Sequence, residues 1–377
     1  MGKTQTKIDT IVTHKVWGFV IFFGVIFLMF QATFYLGKFP MDWIEAGVEK
    51  ISELVAGTMD SGMLKDLIID GIISGVGGVL VFLPNIMILF LFISLMESTG
   101  YMARAAYLMD GIMHKVGLQG GSFIPLIMGF GCNVPAILAT KAIKNRSSRI
   151  ITILINPLMS CSARLPVYLL LVSAFFPKSA GLILFGIYLT GILLAGVMAK
   201  VFRKTLFATE KAAPTEKLPP YKIPALKNII SGTWEKGAQY LKKIATIILA
   251  GSIIIWMLNY FPSRDHSFLY IFGQLIEPLI APLGFDWKIG VALLTGIPAK
   301  EVIVSSLGVL NALTTITPAS AISLMLFTLI YSPCFATLVA IKSETGKWKW
   351  ALFTAAYTIV LAWIVAFVAF HLFSLFL

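Results

Sequence analysis

Three cysteines, Cys132, Cys161 and Cys334, are the only ones in 377 residues, and each interrupts an apolar run beside glycine, proline or small polar residues. Cys132 lies in Gly129-Phe-Gly-Cys-Asn-Val-Pro-Ala136, Cys161 in Ser160-Cys-Ser-Ala-Arg-Leu-Pro166, and Cys334 in Ser332-Pro-Cys-Phe-Ala-Thr337. A break inside a membrane-length apolar run frees backbone carbonyls and amides, and this is tolerated only where protein or a water-filled path satisfies them. A soft thiol at each break suits a transition-metal cation in passage. The odd cysteine count argues against a disulfide framework. Oxygen donors surround the sulfurs: Asn133 beside Cys132, Ser160 and Ser162 beside Cys161, and Ser332 and Thr337 beside Cys334, opposite Gly296-Ile-Pro-Ala-Lys-Glu301. An ion in transit must be held weakly, because a closed tetrahedral thiolate cage does not release its metal. One thiol per break, padded by oxygen, meets that need. The candidate metal-contacting residues are therefore Cys132, Cys161, Cys334, Asn133, Ser160, Ser162 and Glu301.

Plainer readings stand beside these. Cysteines in membrane helices commonly serve as small packing residues. Glu301 is costly inside a membrane hairpin and so functional by default, but its neighbour Lys300 offers simple neutralisation. Arg164, three residues after Cys161, is expected to pair with a carboxylate rather than meet substrate. Glu97, Arg104 and Asp110 read as interfacial charges that pair with one another. His14, His114 and His266 have no metal-ligand spacing, and His371 reads as interfacial. Met96, Met102, Met109 and Met113 are filler at helical spacing, while Trp348 and Trp350 suit a membrane–water boundary. The sequence holds no Gly-x-x-x-x-Gly-Lys-Ser/Thr phosphate loop and no catalytic dyad or triad, so this polypeptide alone is expected to transport and not to hydrolyse nucleotide.

The elements that must position these groups are membrane helices. The chain is 58% hydrophobic and 13% charged, with mean hydropathy +0.88, whereas soluble domains carry about 25% charged residues. Its net charge of +12 sits in short loops between apolar runs, as the positive-inside bias requires, and does not argue for nucleic acid. The fold class expected is an all-α polytopic membrane protein. Spans are expected near 16–37, 77–97, 150–175, 181–202, 243–261, 319–341 and 350–372. The stretches 121–140 and 287–312 are read as re-entrant hairpins, because this keeps the basic loop 141–149 on the cytoplasmic side. The run from Val16 is too long for a cleaved signal, which leaves a cytoplasmic N-terminus. The acidic segment 38–76 is expected outside as an amphipathic interfacial element, and the basic linker 203–242, with its turn-forming stretch 218–224, inside. The division that follows is an N-terminal region over residues 1–76, a first half 77–202, the linker 203–242, a second half 243–341 and a last helix 342–377. Both halves read span, amphipathic segment, hairpin, span, with opposite starting directions, which is an inverted-topology repeat. Short echoes accompany the order. Asp110 precedes Gly117 as Glu277 precedes Gly284, and Val134-Pro-Ala136 matches Ile297-Pro-Ala299.

These motifs resemble the membrane domain of the ferrous iron transport protein B family. The likeness rests on Gly129–Ala136, Met159–Tyr168 and Ser332–Thr337, and on Glu97–Ala106, Leu218-Pro-Pro-Tyr221, Ala299-Lys-Glu301 and Lys7–His14, over essentially the whole chain. The resemblance implies two Gate domains, similar to the hairpin units of concentrative nucleoside transporters. It implies uptake of Fe(2+) as substrate, without a cofactor, across a prokaryotic inner membrane, with the cysteines lining the path. Family members usually carry a G-protein domain and helical spacer before the first span; neither is in this sequence, which leaves three readings open: a GTPase on a separate polypeptide, a membrane part excised from a longer protein, or transport without a GTPase. The expected partners are a separate GTPase docked on the basic faces 141–149 and 203–243, small accessory proteins of the same iron system, membrane lipid, and a second copy in a homo-oligomer. Two other readings stay open: a Gate-type carrier of nucleosides or another organic solute, and a membrane scaffold for a partner enzyme.

Overall fold

A computed structural model describes residues 9–10, 12–14, 16–60, 62–208, 226–262, 267–298 and 300–375. Among the described residues the regular structure is entirely helical. Among the described residues five helices are long and apolar enough to cross a membrane, or up to seven if each sharply bent pair is one span. The chain forms two compact units, Met1–Asn156 with Gly196–Leu249, and Pro157–Ala195 with Ala250–Leu377.

In the first unit, α1 (Trp17–Thr58) runs for 42 residues straight through Pro40. The helix expected to end near residue 37 thus continues into the acidic segment, because the apolar spacing from Trp43 to Val55 is itself helical. A short α2 (Met63–Asp66) and a π-helical stretch, Leu67–Ile73, lead into α3 (Ser74–Thr99). Helices α1 and α3 pack closely through glycine: a Cβ at Gly37 would meet the Asn85 side chain, and one at Gly77 would meet Val48. Small residues permit such approach between membrane helices. Gly100, left-handed at φ 78°, ends α3, and the chain bends by 85° into α4 (Tyr101–Lys115). Two seven-residue helices, α5 (Phe123–Gly129) and α6 (Asn133–Ala139), form the first broken hairpin. After it, α7 (Arg146–Ile155) is N-capped by Asn145, whose side chain accepts from the Ser148 amide. The span expected over 150–175 is therefore broken: a 3₁₀ turn at Asn156–Leu158, an irregular stretch and a second turn at Ser162–Arg164 precede α8 (Leu165–Phe175).

Helix α9 (Ala180–Thr205) and helix α10 (Leu226–Tyr260) each pass from one unit to the other along the chain. The end of the expected linker is thus helical, and its turn-forming stretch 218–224 lies outside the described residues. In the second unit, α11 (Phe268–Ile280) is capped by Ser267, and α12 (Trp287–Thr295) by Asp286, with a bend of 107° between them around Gly284. Then come α13 (Val302–Val309), α14 (Pro318–Ile330), α15 (Phe335–Thr345) and α16 (Trp348–Phe373). The broken span α14–α15 is the core of this unit: its most apolar stretch is 83% buried, against 28% for α16 and 22% for α9. Helices α14 and α16 pack side by side, tied by Ser323 Oγ donating to Ala366 O at 3.1 Å.

The order long helix, short helix, broken hairpin, broken span thus occurs twice along the chain, with the sharp bend before the short helix in the first copy and after it in the second. The acid–glycine echo has a structural basis, since Gly117 (φ 81°) and Gly284 (φ 77°) both take the left-handed conformation just after the short helix of their copy. The second echo does not. Val134–Ala136 lies inside α6, whereas Ile297 and Pro298 lie in the break before α13.

Candidate functional site

All three cysteines occupy the same local position. Cys132 precedes α6, Cys161 precedes the 3₁₀ turn into α8, and Cys334 precedes α15, each with extended backbone at the N-cap. That position usually holds Ser, Thr, Asp or Asn, whose oxygen bonds the helix's free amides. None of the three sulfurs caps its own helix, and all three are half-buried. They are neither sealed in packing nor spread on a fully exposed face.

Around Cys132 the first hairpin is held by amides. The Asn133 amide group, buried, donates to Gly129 O at 3.2 Å and to Asn156 O at 3.2 Å, and faces Asn156 Oδ1 at 3.0 Å. Asn156 in turn donates to Pro125 O at 2.9 Å. A carbonyl freed at the end of α5 is thereby satisfied across the break.

The remaining candidates fall in the second unit. Cys161 lies within electrostatic reach of Arg164, Cys334, Glu301 and Lys300. Ser160, buried, shares a hydrogen bond of 3.1 Å with the Tyr168 hydroxyl. Cys334 Sγ lies 3.2 Å from Thr337 Oγ1, one turn into α15. Glu301 and Ser162 are half-buried. The second hairpin is tied by Thr295 and Ser306, whose hydroxyls are 2.8 Å apart across the α12–α13 break. No group of three or more His, Cys, Asp or Glu side chains stands at metal-holding spacing among the described residues. The arrangement is thus no cage. Any cation here would draw on one or two thiols with hydroxyls and carbonyls, the donor mixture that holds an ion loosely.

Two buried cations correct the charge pairing read from sequence. Arg164 does not pair with a carboxylate: its guanidinium donates to Pro157 O at 3.1 Å and to Leu329 O. Lys300 does not turn to Glu301: Nζ donates to Ser332 O at 2.7 Å and sits 3.3 Å from the Tyr331 ring centroid. The physical reason is common to both. The last carbonyls of a helix have no partner within it, and cations are favoured there by the helix dipole. Leu329 O belongs to the last turn of α14 and is met by Arg164, while Lys300 meets Ser332 O in the irregular stretch just after that helix. Arg104 also differs from expectation. It is wholly buried and bonds Asp9 at 3.0 Å and Gly100 O at 2.9 Å, while Asp110 accepts from the Gly120 amide and pairs with His114. No local signal in the sequence links residue 9 to residue 104. His14 Nδ1 accepts from the Val16 and Trp17 amides at the start of α1, and His266 lies outside the described residues.

With this geometry in view, the comparisons decide the family. A family model described as Gate, nucleoside recognition, matches residues 79–175 and 241–348, and one described as ferrous iron transport protein B C terminus matches 184–236. The chain belongs to the ferrous iron transport protein B family. The two Gate matches cover the twofold helix order. Among relatives, a fusion protein of Fe(2+) transport protein A and Fe(2+) transporter FeoB from Porphyromonas gingivalis is 50% identical, over 99% of this chain and 52% of its own length. The Fe(2+) transporter FeoB of Campylobacter jejuni is 42% identical over 97% of this chain and 65% of its own, and that of Methanocaldococcus jannaschii 42% identical over 97% and 58%. The chain therefore spans between half and two thirds of the length of these ferrous iron transport protein B relatives. No solved structure matches it.

Proposed function

We propose that the chain is the membrane permease of a ferrous iron uptake system, moving Fe(2+) as substrate along a path between broken helices. The observation that carries this reading is the shared position of the three thiols. Each stands at the mouth of a snapped helix without capping it, and Cys161 and Cys334 come from different halves of the sequence into one unit. Sulfur of this kind prefers transition metals to alkali or alkaline-earth ions. Cys132, Cys161 and Cys334 contact the ion in turn, and Asn133, Ser160, Ser162 and Glu301 supply oxygen. The relatives named as Fe(2+) transporters support the same cargo. Cys→Ser replacement at all three positions is expected to lower Fe(2+) uptake by reconstituted vesicles at least tenfold with normal yield of folded protein. Wild-type uptake by that triple variant refutes the ligand assignment.

The basic faces 141–149 and 203–243 lie on the cytoplasmic side of a prokaryotic inner membrane in this reading, as does the N-terminus, and dock a GTPase together with small accessory proteins. The fusion seen in the Porphyromonas gingivalis relative supports an accessory partner of that kind. Loss of all affinity for a G-protein domain in a binding assay removes the docking. A second reading is favoured by the description of the matched Gate model, nucleoside recognition. A nucleoside carrier of this fold needs aromatic and amide groups at the hairpin tips, and the first break offers only Phe130 and Asn133. Inhibition of uptake by Mn(2+) and not by uridine supports the iron reading, and the reverse supports the nucleoside.

A further inference from the structure

The carbonyl that the second break should offer to a passing ion is already occupied. Ser332 O, beside Cys334, accepts from Lys300 Nζ at 2.7 Å, and the Tyr331 ring covers the same amino group at 3.3 Å from its centroid. All three residues are at most 5% exposed. Tyr331 is itself held, its hydroxyl directed to Leu293 O at 3.4 Å and its ring stacked on Phe327 at 5.4 Å. A carbonyl oxygen and an aromatic face both attract cations. Lys300 stands in the irregular stretch between α12 and α13, outside either helix, its carbonyl accepting from the Ile303 amide at 3.3 Å, so the mobile part of the residue is its long side chain. Arg164 holds its site differently: one planar guanidinium bridges Pro157 O and Leu329 O across two elements. A lysine is a point charge on a flexible stem with three donors, and Lys300 places one of them on a protein acceptor. Of the two cations beside the end of α14, Lys300 is the one built to leave.

We propose that Lys300 is a tethered surrogate cation: its amino group fills the Ser332 carbonyl and Tyr331 seat when no ion is present, and the transported divalent ion must displace it. The proposal rests on the ferrous iron reading and adds a specificity device to it. Displacement requires a competitor that binds the adjoining Cys334 and Ser332 better than one ammonium does. A doubly charged ion that favours sulfur meets that requirement, whereas Na(+) and K(+) do not. The resident charge therefore lets a dehydrating break stay closed to the abundant monovalent ions. Because only the fraction of molecules with Lys300 displaced can take the ion, apparent affinity is reduced by that fraction.

The test uses the full chain in proteoliposomes, with Fe(2+) uptake measured under reducing conditions over a concentration series and K(+) leak measured in parallel. Lys300→Met is expected to lower the half-saturating Fe(2+) concentration roughly three- to tenfold and to admit K(+), since the competitor is gone. Lys300→Arg, which restores a cation that cannot leave easily, is expected to raise it. Tyr331→Leu removes one wall of the seat and is expected to shift it in the same direction as Lys300→Met, by less. A purely structural lysine predicts a different result, lower maximal rate at unchanged half-saturation and no K(+) leak, and that result overturns the proposal while leaving the iron reading intact. If Lys300→Met does not fold, an unchanged half-saturation in Tyr331→Leu overturns it equally. Wild-type vesicles that carry uridine and no divalent cation overturn the iron reading and this inference with it.

Discussion

Arg164 shows how much a single buried side chain decides in this protein. It is 1% exposed, and its Nη1 alone donates to the carbonyls of both Pro157 and Leu329. Removing a charged donor from buried acceptors costs about 1–3 kcal/mol per group left unsatisfied. Arg164→Met is therefore expected to destabilise the second unit by ~2–5 kcal/mol, seen as a lower midpoint of thermal unfolding in detergent micelles. Arg164→Lys keeps the charge but not the planar fork, and an intermediate loss is expected. Tyr168→Phe deletes only the 3.1 Å bond to Ser160 and is expected to cost about 0.5–1.5 kcal/mol in the same measurement. At this scale the sequence was informative about which residues matter and silent about partners. Arg164 and Lys300 stood out as cations in apolar runs, but a carboxylate partner was the natural expectation, because a free carbonyl on a distant element leaves no mark in composition.

The elements are held by close approach, and glycine marks the places. A Cβ at Gly120 would stand 2.0 Å from the backbone oxygen of Ala106, which cannot swing aside, and 2.9 Å from Asp110 Oδ1. Gly120→Ala is expected to separate α4 from the first hairpin and to lower stability by more than ~2 kcal/mol, whereas Gly24→Ala, on α1 with nothing within 4 Å, is expected to be neutral or to gain about 0.5–1 kcal/mol. Comparison of the two unfolding midpoints checks both. The hairpin breaks were legible because glycine, proline and small polar residues punctuate them, and the structure places breaks at Phe130–Cys132 and between Thr295 and Val302. Continuity was less legible. Helix α1 runs past Lys38 and Pro40 to Thr58, since a proline within a membrane helix can be accommodated by neighbouring groups that meet the freed carbonyl.

For the whole molecule, the compact units do not follow the order of the sequence. The chain leaves the first unit at Asn156 and enters the second at Pro157, in the middle of one apolar run. Cys161 and Arg164 thereby join Lys300, Glu301 and Cys334, although the repeat assigns them to different halves. The proposed topology predicts that reporters fused at the N-terminus and within 209–225 respond alike as cytoplasmic, and that one within 313–318 responds as external; a cytoplasmic signal from 313–318 would mean that the hairpin 287–312 crosses the membrane. Composition and local pattern by themselves determined an all-helical membrane chain, its interruptions, its thiols and its twofold order, because helix formation and membrane insertion depend on short stretches of side chains. Only the tertiary structure decided which freed carbonyl each buried cation takes, that Asp9 reaches Arg104, and that α14 lies at the core of its unit. Those outcomes depend on which helix ends meet in space, and a freed backbone carbonyl is chemically the same at every residue.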